Sequence, residues 1–303
     1  MAAPSASSPG ERSRWRAWRM ASRPRTLPAS VAPVIVGTAL AIQAEMFEPV
    51  AALVALLCAL LIQIGSNFAN DLGDYRRGTD RLGRVGPTRV TTAGLLTPDQ
   101  VKRGMWVVFG LAALGGLYLI ALGGWPILVA GALSIAAAIA YTAGPLPFGY
   151  YGLGDLGAFV FFGLVAVTGT YYIQAHALTP AVWLGAVAMG CLVTAILVVN
   201  NIRDADTDRL AGKRTLAVLL GRRGARIEYV LLLGIAYAVP VILWLGLGMQ
   251  PWVLLPLVTL ALAVPQVRAV FTVLGPALNR TLAGTAQLTA VYAAVFAVGV
   301  ILA

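Results

Sequence analysis

QIGSNFANDLGDYRRGTD, residues Gln63 to Asp80, stands where the second long apolar run of the chain meets a basic loop. If the run Ala51 to Ala69 is helical and continues for another turn, Gln63, Asn67, Asn70, Asp71 and Asp74 recur at steps of three and four and share one face. On a helical wheel they fall within an arc of about 100°. Such a patch is costly, because carboxylates at a helix C-terminus face the negative end of its dipole and, at a bilayer rim, lose water. A positive partner must offset this. Oxygen donors without His or Cys suit a hard cation such as Mg²⁺, which is held by one or two carboxylates while it grips a phosphate. The plain alternative is a solvated helix end with a polar cap.

A second stretch strengthens the first. The apolar run Ala181 to Val199 ends in NNIRDADTDRLAGKRTLAVLLG, where Asn200, Asp204 and Asp208 share a face at i, i+4 and i+8. Two acidic helix ends, each closing an apolar span and each followed by basic residues, read as two halves of one site.

Of the 303 residues, 59% are hydrophobic and 11% charged, against roughly 25% charged in soluble domains. The composition predicts an all-α, polytopic membrane protein. Cys58 and Cys191 both lie inside apolar runs, as buried thiols would, and lone His176 falls in a short connector that offers no metal-ligand set. The net charge of +10 does not indicate nucleic acid, because the basic residues follow membrane topology.

Residues 1–10 are small and polar. Residues 11–25 interleave Arg12, Arg14, Arg16, Arg19, Arg23 and Arg25 with Trp15 and Trp18, suiting a segment that lies on an anionic leaflet. A basic start before an apolar stretch also resembles a signal peptide, with Ala39-Leu40-Ala41 as the cleavage site, but prolines open that stretch. Nine spans follow, at 28–47, 51–72, 103–122, 125–141, 153–173, 181–201, 228–247, 251–270 and 283–302. All 22 Lys and Arg residues fall on one side of this alternation or at the span ends bordering it. The positive-inside rule makes that side cytoplasmic, with the N-terminus inside and the C-terminus outside; the Ala/Gly/Leu/Val/Arg-rich composition points to a bacterium, whose cytoplasmic membrane is then the expected location. The expected organisation is a basic N-terminal segment, 1–22, and a single transmembrane domain, 23–303, with cap loops 73–102 and 202–227 over the cavity mouth. Because the acidic ends close spans 2 and 6, two four-helix units plus one helix are expected around a central cavity. TPDQ (97–100) reads as the start of a cap helix within the first loop.

Asp71, Asp74, Asp80, Asp204 and Asp208 beside Arg76, Arg77, Arg203, Lys213 and Arg214 make a site of mixed sign. Two divalent ions would let those carboxylates hold a polyanion, with Arg and Lys taking the remaining phosphate oxygens. A site opening between apolar helices suits a phosphate ligand with a lipid tail, such as a polyprenyl diphosphate.

NDLGDYRRGTD and NNIRDADTDRLAGKRTLAVLLG resemble the two aspartate-rich motifs of the UbiA superfamily of intramembrane aromatic prenyltransferases. RPRTLPASVAPVIVGTAL (23–40), YTAGPLPFGYYGLGD (141–155) and VFFGLVAVTGTYYIQ (160–174) are similar to its branch acting on 1,4-dihydroxy-2-naphthoate in menaquinone synthesis. The resemblance runs from about Arg23 to the C-terminus. It implies nine helices with a cytoplasmic cap, and Mg²⁺, two ions in all, held by Asn67, Asp71, Asp74, Asp80, Asp204 and Asp208. It also implies diphosphate binding by Arg77, Lys213 and Arg214, to which Arg203 is added as a neighbouring cation, and leaves Asp206 on another face. Arg25 stands where the family often has Lys and, with Gln63, is the candidate contact for the aromatic acceptor. The hydroxybenzoate enzymes of the superfamily carry Tyr-x-x-x-Lys; here Tyr141 is followed by Pro145 at that spacing, which fits the naphthoate branch. Asp155 either orients or deprotonates the naphthol or is a helix N-cap facing water.

The implied reaction is electrophilic aromatic substitution: the allylic C–O bond of the polyprenyl diphosphate ionises and the naphthoate ring attacks at the carbon bearing its carboxylate. Loss of CO₂ then gives demethylmenaquinol. Tyr141, Phe161, Phe162, Tyr171 and Tyr172 are candidates to shield the cation. The expected partners are the two substrates and the bilayer, with no nucleic acid and no obligatory protein partner. Three rivals stand beside this reading: a prenyltransferase for another acceptor such as 4-hydroxybenzoate, a cation-coupled transporter with acids at mid-span, and a membrane diphosphatase.

Overall fold

The computed structural model describes residues 9–78, 86, 88–144 and 147–303, with side chains from residue 13 onward. Asp80 and Pro145 lie outside the described residues. Among those described, the chain is helical with turns and no strand. Helix α1 (Pro9–Ser22) meets α2 (Pro28–Gln43) at a bend of 51°. There follow α3 (Pro49–Arg77), α4 (Pro98–Gly123), α5 (Trp125–Ala140), α6 (Gly154–Ala175), α7 (Pro180–Leu210), α8 (Gly221–Leu247), α9 (Pro251–Thr272) and α10 (Gly275–Ile301). Seven of these are long and apolar enough to cross a membrane, or eight if the bent pair is one span. The 16-residue α5 is apolar but shorter, about 24 Å at 1.5 Å per residue.

The helix boundaries follow local chemistry. Pro opens α3, α4, α7 and α9, where its missing N–H costs no intrahelical bond. Gly78 ends α3 in the left-handed region at φ 70°. Thr97 and Gln100 form a capping box, with Gln100 N donating to Thr97 Oγ1 (3.2 Å) and Thr97 N to Gln100 Oε1 (2.9 Å). This box starts α4 itself, so TPDQ opens a long helix and not a separate cap helix: no proline interrupts the chain between Asp99 and Gly123.

Helix α7 is the centre of the packing. In its most apolar stretch 78% of residues are buried, against 22% in α4, whose outer face is left to the bilayer. One apolar cluster joins α7 to α2, α6, α8, α9 and α10; a second joins α1, α3 and α4 with Val90 and Leu96 of the loop between α3 and α4. Cys58 and Cys191 are both buried free thiols.

Helix α6 is wound as a π-helix from Phe159 to Val165. There it crosses α7 backbone to backbone, since a Cβ on Gly163 would lie 2.4 Å from Gly190 Cα and 2.7 Å from Ala186 O. The wider turn aims Phe161 and Phe162 at a central cavity. Gly163→Val should lower stability in detergent by about 1–3 kcal/mol, read as a fall in melting temperature. Gly110→Ala, on an open face of α4, should leave it unchanged.

Candidate active site

The end of α3 carries the first half of the site. Asn67 Nδ2 donates to Ser22 O (3.0 Å) and Thr26 Oγ1 (3.3 Å), and Gln63 Nε2 donates to Thr26 Oγ1 (3.4 Å). These bonds fasten α3 to the elbow between α1 and α2. Asp74 is buried; its Oδ1 accepts from the Tyr150 hydroxyl at 2.8 Å and its Oδ2 pairs with the Arg89 guanidinium. Asn70, Asp74 and Arg89 all line the cavity.

Asp71 does not. Its carboxylate is buried against the loop before α4, accepting from Val90 N (3.1 Å), Thr91 N (3.3 Å) and the Thr91 hydroxyl. On the wheel it stands about 60° from Asp74, at the edge of the polar arc. That edge turns Asp71 to the loop, whose backbone donors it satisfies.

The second half comes from α7. Asn200, Asp204 and Asp208 line the cavity together, one turn apart. Arg203, expected on the diphosphate, lies beneath them with its side chain 1% exposed. It grips Asp204 through two bonds (2.8 and 2.6 Å), Asn200 Oδ1 (2.7 Å) and Asn279 Oδ1 of α10 (2.7 Å). Each of its three nitrogens is engaged, Nε and Nη2 orienting Asp204 and Asn200 and Nη1 tied to α10, because one residue's step around α7 turns it toward α10. Lys213 Nζ stands 3.7 Å from Asp208 Oδ1, while buried Asp208 Oδ2 has no hydrogen-bond partner. Asp206 points away to Arg222, as its phase predicted.

Tyr150 joins the halves. Its hydroxyl holds Asp74, its ring lies between Arg77 (5.2 Å) and Lys213 (5.3 Å), and its carbonyl accepts from Arg214 N at 2.9 Å. Arg77 therefore sits behind Tyr150, donating to Thr142 O (3.2 Å) and Gly144 O (2.7 Å), and does not line the cavity.

The polar groups close one end of a cavity of about 670 Å³. Its remaining walls are mostly apolar, with Ser30, Ser134 and Thr170 among them, and Tyr141, Phe161 and Phe162 line it. Tyr171 is instead packed in the core and Tyr172 stacks edge-on with His176. Leu117 and Leu128 both line the cavity and are 63% and 51% exposed, so its wall reaches the outer apolar surface between α4 and α5. No residue of α5 is buried.

Three further expected site residues lie away from the cavity wall. Arg25 is exposed and off the cavity; Arg23, whose φ of 49° turns the chain at the elbow, lines it instead. Asp155 neither faces water nor lines the cavity; it is buried in the first turn of α6, with Asn201 Nδ2 3.4 Å from each carboxylate oxygen. Exposed Arg214 contributes its backbone to Tyr150 and lies off the cavity. Among residues left out of the expected site, Asn70 and Asn200 carried a signal, since each precedes an aspartate by four. Arg89 and Tyr150 carried none, being placed by loops.

All the convergent donors are oxygens, and one carboxylate oxygen among them is buried without a partner. Among the described residues no group of three or more His, Cys, Asp or Glu would hold a metal unaided. That donor set fits Mg²⁺ shared between one or two carboxylates and a substrate phosphate.

Cations and carboxylates gathered at one end of an apolar cavity inside a helical bundle define an intramembrane site for an anionic head group with an apolar tail. The chain belongs to the UbiA prenyltransferase family, whose sequence profile matches residues 30–283. It is 47% identical over 227 residues to a 1,4-dihydroxy-2-naphthoate octaprenyltransferase of Escherichia coli, covering 73% of this chain and 74% of that one. It is 43% identical over 249 residues to a protein of the same description from Mycobacterium tuberculosis, covering 81% and 83%. A UbiA homologue from Archaeoglobus fulgidus, solved with GPP and Mg²⁺, shares the fold at a TM-score of 0.66 and 16% identity, over 92% of this chain and 99% of that one.

Asp71→Ala should release the loop it braces: trypsin should cut faster after Arg89, and stability should fall by roughly 2 kcal/mol for the lost buried acceptor, read by limited proteolysis and thermal melting.

Proposed function

We propose that this protein transfers a polyprenyl group from polyprenyl diphosphate to 1,4-dihydroxy-2-naphthoate, releasing diphosphate and CO₂ and forming demethylmenaquinol for menaquinone biosynthesis. The observation that carries the reading is the meeting of Asp74 with Asp204 and Asp208 on the wall of one largely apolar cavity. Relatives at 34–47% identity bear that activity in their names.

Asp74, Asp204 and Asp208, with Asn70 and Asn200, are the groups to hold two Mg²⁺ ions with the diphosphate. Bound Mg²⁺ would neutralise charge as it builds on the leaving diphosphate. Lys213, Arg89 and Arg23 are positioned to take phosphate oxygens, and Arg203 keeps Asp204 and Asn200 in orientation. The prenyl chain lies along the apolar walls and leaves toward the bilayer past Leu117 and Leu128. Tyr141, Phe161 and Phe162 exclude water from the allylic carbon as its C–O bond breaks. Gln63, whose buried Oε1 has no hydrogen-bond partner, is the acceptor contact. The C–C bond forms at the ring carbon bearing the carboxylate, and CO₂ departs with restoration of the aromatic ring.

This reading keeps nine membrane crossings in two four-helix units plus one, counting α2 and α5. The N-terminus and both acidic helix ends lie on the cytoplasmic side of a bacterial inner membrane, with the connecting residues 88–97 and 211–220 over the mouth of a single domain, 23–303. The deciding experiment is product analysis in detergent with Mg²⁺, polyprenyl diphosphate and the naphthoate, with 4-hydroxybenzoate and EDTA as parallel controls. Metal-dependent prenylated naphthoquinone with CO₂ release is expected. Asp74→Ala and Asp208→Asn should each reduce turnover by about 10²-fold or more, and Arg25→Gln should change it little. Diphosphate release without a prenylated product sinks the transferase reading in favour of a hydrolase.

A further inference from the structure

Helix α1 has two unlike faces. Ala17 and Ala21 are buried, and Trp18 packs edge-on against Phe68 with ring centres 5.5 Å apart. Trp18 also lies so close to α4 that a Cβ on Gly104 would come within 2.6 Å of its ring. This inner face seats α1 on α3 and α4, one turn before the acidic end of α3. The outer face is different: Trp15 is 71% exposed and Met20 42%, with Arg16 and Arg19 exposed beside them, and Arg14 is exposed at the start of the helix, where the inner stripe runs out. No acidic residue occurs between Ser13 and Ser22. Arginines interleaved with a large aromatic and a methionine match a surface whose charge lies outside and whose apolar layer lies just beneath. An acidic peptide would satisfy the arginines but leave Trp15 and Met20 in water.

The inner end of the same helix is wired to the cavity. Ser22 O accepts from Asn67 Nδ2, and Thr26 Oγ1 accepts from both Asn67 and Gln63. Between them Arg23 adopts a left-handed backbone, uncommon for a residue with a side chain, and itself lines the cavity. Any change in the tilt of α1 therefore moves the hydrogen-bond acceptors of Asn67 and Gln63.

We propose that the outer face of α1 docks on anionic phospholipid head groups, and that this docking fixes the elbow holding Asn67, Gln63 and Arg23 in the cavity wall. The enzyme is thereby tuned by the charge of the leaflet it lies in; this second half rests on the prenyl-transfer reading.

The test uses the full chain in nanodiscs of phosphatidylcholine alone or mixed with phosphatidylglycerol, with hydrogen exchange of residues 13–27 and turnover followed in parallel. Phosphatidylglycerol should slow exchange in this segment, less so as salt rises. Arg14→Gln, Arg16→Gln and Arg19→Gln together should abolish the slowing, each arginine being worth up to about 5-fold in surface association. The Michaelis constant for polyprenyl diphosphate should fall several-fold in anionic discs for the wild type only, with the triple variant retaining the turnover of neutral discs. Inorganic phosphate added to neutral discs should reproduce neither effect; if it does, the site is a phosphate site and not a lipid surface. Equal exchange in both lipids overturns docking, and protected α1 with an unchanged Michaelis constant overturns the coupling. Absence of turnover in every disc overturns the prenyl-transfer reading and with it the tuning, while exchange still decides the docking.

Discussion

A carboxylate buried at the rim of an apolar bundle must be matched by donors and positive charge, and Asp74 is matched from two directions. Arg89 reaches it from the loop before α4 and Tyr150 from the turn before α6. Removing either donor would leave a desolvated charge, which costs far more than a surface ion pair contributes. Three segments far apart in sequence are thus held to one atom group. Because the ring of Tyr150 also receives Arg77 and Lys213, the constraint extends to Asp208 and the second helix end. The two halves of the site are tied before any ligand arrives.

Matching is deliberately incomplete on one side. Asp71 and Asp155, both off the cavity, are satisfied by protein donors, while Asp204 lines the cavity and is held in orientation by Arg203. Asp208 keeps a buried oxygen without a partner and only a 3.7 Å approach from Lys213. Satisfied carboxylates shape the site, whereas an unsatisfied one is where a cation gains most. The apolar walls reinforce the division: they exclude water, strengthen electrostatics at the polar end and offer a lipid chain no competing polar contact. Loosely packed α5 and tightly packed α7 fit the same scheme, the first bordering the bilayer and the second bearing the charges.

Much of this was legible in residue spacing. The Asn200–Asp204–Asp208 ladder lines the cavity as its i, i+4, i+8 spacing requires, and Asp206 points away. Gln63, Asn67 and Asp74 lie on the expected face. Spacing fails at the edges of an arc, as with Asp71, and next to a ladder, as with Arg203, where a single 100° step carries a charged side chain from cavity to interior. It fails wholly for groups that loops deliver: Arg89 and Tyr150 have no periodicity to reveal them. Arg25 and Arg23 show the same limit, because a left-handed residue at the elbow reverses which arginine points inward.

By itself the sequence determined the helical membrane class, the apolar runs, the TPDQ helix start and the two acidic helix ends, since each depends on chemistry within a few residues. Tertiary structure alone decided which carboxylates stay available and which are neutralised by a buried partner. It also decided that Tyr150 bridges the halves, and where the cavity meets the lipid. Those outcomes depend on donors brought together from distant segments, and no local pattern encodes the distance between them.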